Sequence, residues 1–310
     1  MAHPRRIVPG ETYLVTRRCS HRAFRLRPCQ ETNQIFAYCL AFAIERTGVV
    51  LHAACVMSNH VHLVVTDPRG VLPNFLREFH RLTAKAMNAL QGHWENLWAA
   101  EPCNVVRLIT DADIEEKIAY VVANPVAAGL VSEPSHWPGL LEWGEKVRPV
   151  SRPKSYFRAR GTCPPELRLC LVRPRMREGG PARWHDWNQR VERAIEAKVR
   201  AAHHAIRRAG GTFLGRAAVL AKSFTEQARS REERFVTTPT FAAMAPSVRD
   251  HLRRLEQYFR TCYRTTLERW RSGSRDARFP FGTWGMAVFH AASVEPWEVL
   301  SRDLPAIPIG

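Results

Sequence analysis

The chain has 310 residues, of which 45% are hydrophobic and 24% charged, and its formal net charge is +17 at pH 7. This length suits two domains of ordinary size, and no apolar run is long enough to cross a bilayer, so no membrane partner is expected. The basic N-terminus lacks the apolar core of a signal peptide and the eight cysteines are scattered, which together indicate a cytoplasmic protein with free thiols.

Hydrophobic periodicity predicts the elements of the first 131 residues. Alternation of apolar and polar residues predicts strands at 12–19, 49–57, 60–66 and 105–109. Apolar residues at helical spacing predict helices at 30–47, 73–90 and 114–123. The order β-α-β-β-α-β-α is that of an α+β fold, a ferredoxin-like or RRM-like split β-α-β domain. Such a domain has an antiparallel sheet with helices on one face and, we expect, the other face free for a ligand.

His60 and His62 alternate within the apolar stretch 56–65. Because side chains alternate along a strand, both imidazoles project from the same face. Two neighbouring imidazoles make half of a metal site. The alternative is a half-exposed strand with histidines on its solvated face.

The predicted helix at 114–123 carries a second pair of functional groups. Asp111 is expected to cap its start and Pro125 to stop it. Tyr120 and Asn124 are four residues apart and therefore share one helical face. A hydroxyl that can act as a nucleophile thus lies one turn from an amide oxygen that can bind a cation. Alternatively, Tyr120 packs in the core and Asn124 closes the helix.

Charge is distributed unequally along the chain. Residues 1–150 contain 16 Lys and Arg against 14 Asp and Glu, a net of +2, whereas residues 151–310 contain 30 against 15, a net of +15. A proline-containing basic stretch at 147–154 predicts a boundary between a domain at 1–146 and a basic, mainly helical region at 147–310. Long helices are predicted there at 184–208 and 248–271. The arginine excess indicates a nucleic-acid-binding surface, unless the proteome as a whole is arginine-rich.

The strand motif Met57-Ser58-Asn59-His60-Val61-His62 and the helix motif running from Tyr120 to Asn124-Pro125 together resemble the single-tyrosine HUH transposases, most closely the REP-associated tyrosine transposases. Order, spacing and flanking residues match, and the resemblance covers roughly residues 5 to 131. Two departures are mild. Many relatives have proline where Ser58 stands and a second basic residue near Ala127.

The resemblance implies a metal-dependent endonuclease and strand transferase that acts on single-stranded DNA beside a DNA hairpin. Tyr120 would form a 5′-phosphotyrosine link, and His60, His62 and Asn124 would bind Mg²⁺ or Mn²⁺. We expect Asn59 to shape the turn before the histidine strand and to support the site. The protein would be a monomer or homodimer. Candidate contacts to the DNA backbone are Arg17, Arg18, Arg77, Arg81 and Lys85.

Three other classes remain open. A histidine-triad hydrolase would need a third histidine where Val64 stands, and an RRM-like RNA binder would need aromatic residues in place of His60 and His62. The third is a domesticated protein that binds DNA hairpins without cutting them. The presence of all four site residues favours the transposase.

Overall fold

The computed structural model describes residues 4, 6–157, 161–176, 185–228 and 239–296. The strands in these ranges are β1 (Glu11–Arg18), β2 (Val50–Val56), β3 (His60–Asp67), β4 (Asn104–Leu108), β5 (Leu141–Trp143), β6 (Lys146–Ser151), β7 (Glu166–Leu171) and β8 (Phe241–Ala242). The helices are α1 (Gln30–Thr47), α2 (Leu72–Gln91), α3 (Asp111–Ala127), α4 (Trp187–Arg208), α5 (Arg216–Ala221), α6 (Pro246–Arg271) and α7 (Trp284–His290). None of the described helices is long and apolar enough to span a bilayer.

Four antiparallel strands form the centre of the sheet, in the spatial order β2-β3-β1-β4. This order and the chain order β-α-β-β-α-β-α confirm the predicted α+β fold with its split β-α-β arrangement. The turn between β2 and β3 is short and is closed by a hydrogen bond from Met57 N–H to the carbonyl of His60 at 2.9 Å. It brings His60 to the first position of β3.

Helices cover both faces of the sheet. On one face, α1 and α2 bury apolar side chains such as Phe75 and Phe79 against Val61 and Leu63 of β3. On the other, α3 and α4 form a second core that includes Val64 of the same strand. The expectation of a free second face is therefore wrong, because the apolar residues that alternate along the strands need cover on both sides. By the same alternation, His60 and His62 face α3.

Both ends of α3 differ from the expectation. Thr110, not Asp111, is the cap: its hydroxyl accepts from Asp113 N–H at 3.1 Å, while the Asp113 carboxylate accepts from Thr110 N–H at 2.9 Å. This reciprocal pair satisfies two backbone donors at once. Nor does Pro125 stop the helix, which continues to Ala127. A proline in the last turn removes one hydrogen bond without disturbing the rest of the helix.

The basic region contributes strands as well as helices. The predicted boundary at 146/147 falls at the start of β6, which pairs with β7, and β7 in turn pairs with β2 at Leu171 and Leu51. Residues on both sides of this position thus share one sheet. The predicted long helices are present as α4 and α6, although the predicted start of the first, residue 184, lies outside the described residues.

Candidate metal and nucleophile site

The structure brings the four predicted site residues together where β3 begins, beneath α3. The ring centroids of His60 and His62 are 4.6 Å apart, and those of His62 and Tyr120 are 5.3 Å apart. The side chain of Asn124, one helical turn from Tyr120, lies close enough to His60 and Tyr120 to influence the pKa of both. The alternation of the strand and the four-residue repeat of the helix together produce this cluster.

His62 is held by the neighbouring strand. It lies opposite Thr16 in the β1–β3 ladder, and its Nδ1 is 2.9 Å from the Thr16 hydroxyl oxygen. The side chain is buried, with 4% of the residue exposed, and its Nε2 atom has no hydrogen-bond partner among the described residues. If Nδ1–H donates to Thr16, Nε2 keeps a buried lone pair, which is what a metal ligand requires.

His60 is oriented by Asn59. The Asn59 side-chain N–H donates to the carbonyl of Arg22 at 3.1 Å, so its Oδ1 is the atom that accepts from His60 Nδ1 at 2.7 Å. This network assigns the proton to Nδ1 and leaves the lone pair on Nε2. Asn59 therefore has the supporting position predicted for it.

Both histidines are neutral at physiological pH. Burial, followed by the nearby charge of Arg18, lowers the pKa of His60 to about 4, with the Asn124 hydrogen bond opposing and Arg22 adding to the shift. Burial, and then the proximity of His60, lowers the pKa of His62 well below its ordinary value. Metal ligation requires the neutral imidazole, and both rings already have that form.

Tyr120 is half-buried at the edge of the second core. Burial raises the pKa of its phenol, the hydrogen bond with Asn124 lowers it, and the buried Cys55 thiol adds to the rise. Lys117, one turn earlier in α3, lies with its Nζ 5.6 Å from the centre of the Tyr120 ring. No role was predicted for Lys117 from the sequence. Its spacing of three residues from Tyr120 nevertheless places both side chains on one face of a helix.

The donor set fits a divalent cation. His60 and His62 would present imidazole nitrogens and Asn124 an amide oxygen, and the orphaned Nε2 of His62 is a buried polar atom that a ligand bond would satisfy. No group of three or more His, Cys, Asp or Glu side chains suited to a metal occurs among the described residues. A neutral set predicts modest affinity, and its nitrogen ligands favour Mn²⁺ over Mg²⁺.

The predicted DNA contacts on β1 point to opposite faces of the sheet. Arg18 pairs with His60 in the ladder and so lies on the face of the site. Arg17 instead donates from its guanidinium to the carbonyls of Ala99 at 2.9 Å and Glu101 at 2.5 Å. Arg17 therefore anchors the segment before β4.

The three predicted DNA contacts on α2 lie far from the tyrosine. Arg77, Arg81 and Lys85 are exposed on the outer surface of that helix, whose buried side packs on the face of the sheet opposite to α3. Arg81 also pairs with Glu78 at 2.9 Å. Of the five predicted contacts, the structure thus places only Arg18 beside the site.

These features define the class: an α+β protein whose paired-histidine strand faces a tyrosine-bearing helix. No protein-family model and no curated protein matches the chain. One similar solved structure is a REP-associated tyrosine transposase bound to a REP hairpin, with 18% identity and a TM-score of 0.39 over 52% of this chain and 99% of the other. Another is a proposed transposase of Deinococcus radiodurans R1, with 25% identity and a TM-score of 0.28 over 38% of this chain and 95% of the other.

Proposed function

We propose that this protein is a metal-dependent single-stranded DNA endonuclease and strand transferase of the REP-associated tyrosine transposase type. The observation that carries the proposal is the convergence of Tyr120 with His62, whose buried Nε2 atom has no partner among the described residues, and with His60 and Asn124. A core tyrosine needs no such neighbours. A nucleophile attacking a phosphodiester does, because the attacked phosphate is negatively charged.

In the first step, the phenol oxygen of Tyr120 attacks the phosphorus and releases its proton to solvent. The bond from phosphorus to the 3′ oxygen breaks, and that oxygen takes a proton to become a 3′-hydroxyl. The product is a 5′-phosphotyrosine. In strand transfer, a 3′-hydroxyl attacks this link, restores a phosphodiester and returns the tyrosine. No ATP is needed, because each step exchanges one phosphoester bond for another.

The other residues prepare this exchange. His60, His62 and Asn124 would hold a divalent cation, which when bound supplies the positive charge that offsets the phosphate's negative charge. Thr16 and Asn59 fix the two imidazole rings. They act through the histidines and have no contact of their own with DNA in this proposal.

The proposed substrate is a single strand beside a hairpin. An extended strand can bring one phosphate to a half-buried tyrosine, whereas a stiff duplex cannot easily do so. Arg18, next to His60 on the neighbouring strand, would pair with the DNA backbone at this entrance. The excess of arginine after residue 150 would bind the folded stem.

The test is a covalent-adduct assay. The protein is mixed with end-labelled single-stranded DNA that carries a hairpin from its own genomic flanks, with Mn²⁺ present, and resolved on a denaturing gel. We expect a labelled band at the mass of the protein plus DNA, absent for Tyr120→Phe. Retardation on a native gel with no covalent band under any metal condition would instead indicate a DNA-hairpin-binding protein that does not cut.

A further inference from the structure

A groove of about 1080 Å³ lies beside the site, between three separate parts of the chain. Its walls come from residues 18–25 at and after the end of β1, residues 93–101 before β4, and residues 225–228 of the basic region. The last segment is fixed to the first by backbone hydrogen bonds, from Phe24 N–H to the Glu226 carbonyl at 2.8 Å and from Ala228 N–H to the Arg22 carbonyl at 3.3 Å. The volume lies at the upper end of the range found for small-ligand pockets.

One end of the groove adjoins the candidate site, although none of the four site residues lines it. Arg18, in the groove wall, is the ladder partner of His60. Arg22, also in the wall, accepts through its carbonyl from Asn59, the residue that orients His60. A chain lying in the groove would therefore pass the end of the sheet at which His60 lies.

Trp94 is the most unusual side chain of the groove. Its relative exposure is 96%, in a chain whose other tryptophans among the described residues are at least partly covered. Because the Trp94 indole is exposed to water, it adds nothing to the hydrophobic core. A flat aromatic surface at the rim of a polar groove is suited to stacking on a nucleic-acid base.

The wall formed by residues 18–25 has a backbone conformation that is unfavourable in free energy. His21 and Arg22 have φ angles of 53° and 54°, in the left-handed region that residues other than glycine rarely adopt. Consecutive outliers of this kind persist where surrounding contacts impose them, and they concentrate at binding and catalytic sites. Here the contacts include the Asn59 and Ala228 bonds to the Arg22 carbonyl.

The groove contains charges of both signs. Arg18 and Arg22 are basic, whereas Glu95 and Glu101 are acidic. Arg25 is buried and donates to Gln91 and Asn88, so it supports the wall rather than a ligand. Arg18 and Arg22 are at the end next to His60, where a phosphate would arrive.

We propose that this groove binds unpaired nucleotides of the DNA strand that enters the Tyr120 site, with Trp94 stacking on one of their bases. The proposal rests on the proposed function, since it names where the single strand of that substrate lies. In this arrangement Trp94 binds an unpaired base. Other surfaces of the basic region bind the duplex stem.

The test measures binding alone, so that cutting does not interfere. Full-length protein carrying Tyr120→Phe is titrated, without metal, into fluorescein-labelled dT12, and in parallel into a labelled blunt duplex of the same length. Adding Trp94→Ala should weaken binding to dT12 roughly tenfold, the loss of one base stack, and leave duplex binding unchanged. Trp94→Phe should recover most of the affinity. The matched control is Phe289→Ala, which removes another exposed aromatic, 65% exposed, outside the groove.

Each outcome decides one point. Equal affinity of the Trp94→Ala and parent proteins for dT12 would overturn the proposal, as would an equal loss on the duplex or tighter binding of U12 RNA than of dT12. Because Trp94 is almost fully exposed, its replacement does not disturb the core. If no covalent adduct forms but Trp94→Ala still weakens dT12 binding, the nuclease proposal is wrong and the groove remains a single-strand binding site.

Discussion

The Thr16 hydroxyl lies 2.9 Å from Nδ1 of His62, across the ladder between β1 and β3. This bond fixes the ring of a buried histidine whose other nitrogen has no partner among the described residues. Two elements far apart in sequence thus determine which nitrogen faces the site. The orientation of His62 depends on β-sheet register as well as on its own strand.

Thr16→Val should lower metal-dependent cleavage by about 10- to 100-fold, the usual effect of removing a group that orients a metal ligand. Valine keeps the branched shape that suits a strand, so the fold should survive. The control is Thr12→Val on the same strand, which breaks the 2.8 Å bond between the Thr12 and Thr66 hydroxyls away from the site. It should cost about 1 kcal/mol of stability and leave cleavage unchanged. Equal cleavage rates for Thr16→Val and wild type would show that Thr16 does not position His62.

His60→Ala should weaken both Mn²⁺ binding, measured by calorimetry, and DNA cleavage. Removing one of two imidazoles from a neutral donor set leaves too few ligands for a stable site. Chelation with EDTA should stop cleavage by the wild type but preserve hairpin binding on a native gel. Metal-dependent cleavage at the wild-type rate by His60→Ala would contradict the site assignment.

The tyrosine helix is tied to α4 by two ion pairs, Arg190 with Glu115 at 2.8 Å and Lys198 with Glu116 at 2.6 Å. Because the first pair is largely covered, Arg190→Ala should lower the free energy of unfolding by about 1 to 3 kcal/mol, measured in urea. The control is Arg200→Ala, which breaks an exposed pair with Glu196 within α4 and should cost no more than about 0.5 kcal/mol. Similar losses in the two variants would mean that the pair does not secure α4.

Stability should fall below neutral pH because of His52. This buried residue of β2 contacts the Val172 carbonyl through Nδ1 at 2.6 Å and the Thr66 hydroxyl through Nε2 at 2.7 Å. Burial lowers its pKa from 6.5 to about 4, against a smaller opposing effect of the Val172 bond. The unfolded chain therefore binds a proton between these values that the folded chain does not.

The stability that His52 contributes is complete above pH 6.5 and is lost as pH falls towards 4. Between pH 7 and pH 5 the part of the loss that comes from His52 should be about 2 kcal/mol, measured by urea unfolding as the difference between the wild type and a variant without this histidine. His52→Gln does not titrate, so that variant should be less stable at pH 7 but lose less than the wild type on acidification. His60 acts in the same direction and remains in both proteins. Identical pH dependence of the two proteins would contradict the buried neutral state of His52.

Much of this organisation could be predicted from sequence because it follows from local periodicity. Alternation placed His60 and His62 on one face, and helical spacing placed Tyr120 beside Asn124. The predictions that failed concerned contacts between distant residues or the choice between two possible N-cap residues. Thr110 displaced Asp111 as the cap of α3 because its hydroxyl and the Asp113 carboxylate bond reciprocally.

Contacts between distant segments could not be predicted. The pairing of Thr16 with His62 depends on register, which no single strand specifies. The extension of the sheet by β6 and β7 depends on a stretch whose prolines indicated a linker. The packing of α4 over α3 joins residues about 75 apart, as in the pair Glu115 and Arg190. Only the assembled fold shows these relationships.

The tyrosine mechanism is tested most sharply by identifying the residue that carries DNA after the reaction. The protein is incubated with single-stranded hairpin DNA and Mn²⁺, digested with nuclease and protease, and its peptides are analysed by mass spectrometry. We expect a nucleotide linked through phosphate to Tyr120, and to no other residue. A phosphate-linked nucleotide on a different side chain, or cleaved DNA with no protein adduct, would contradict it.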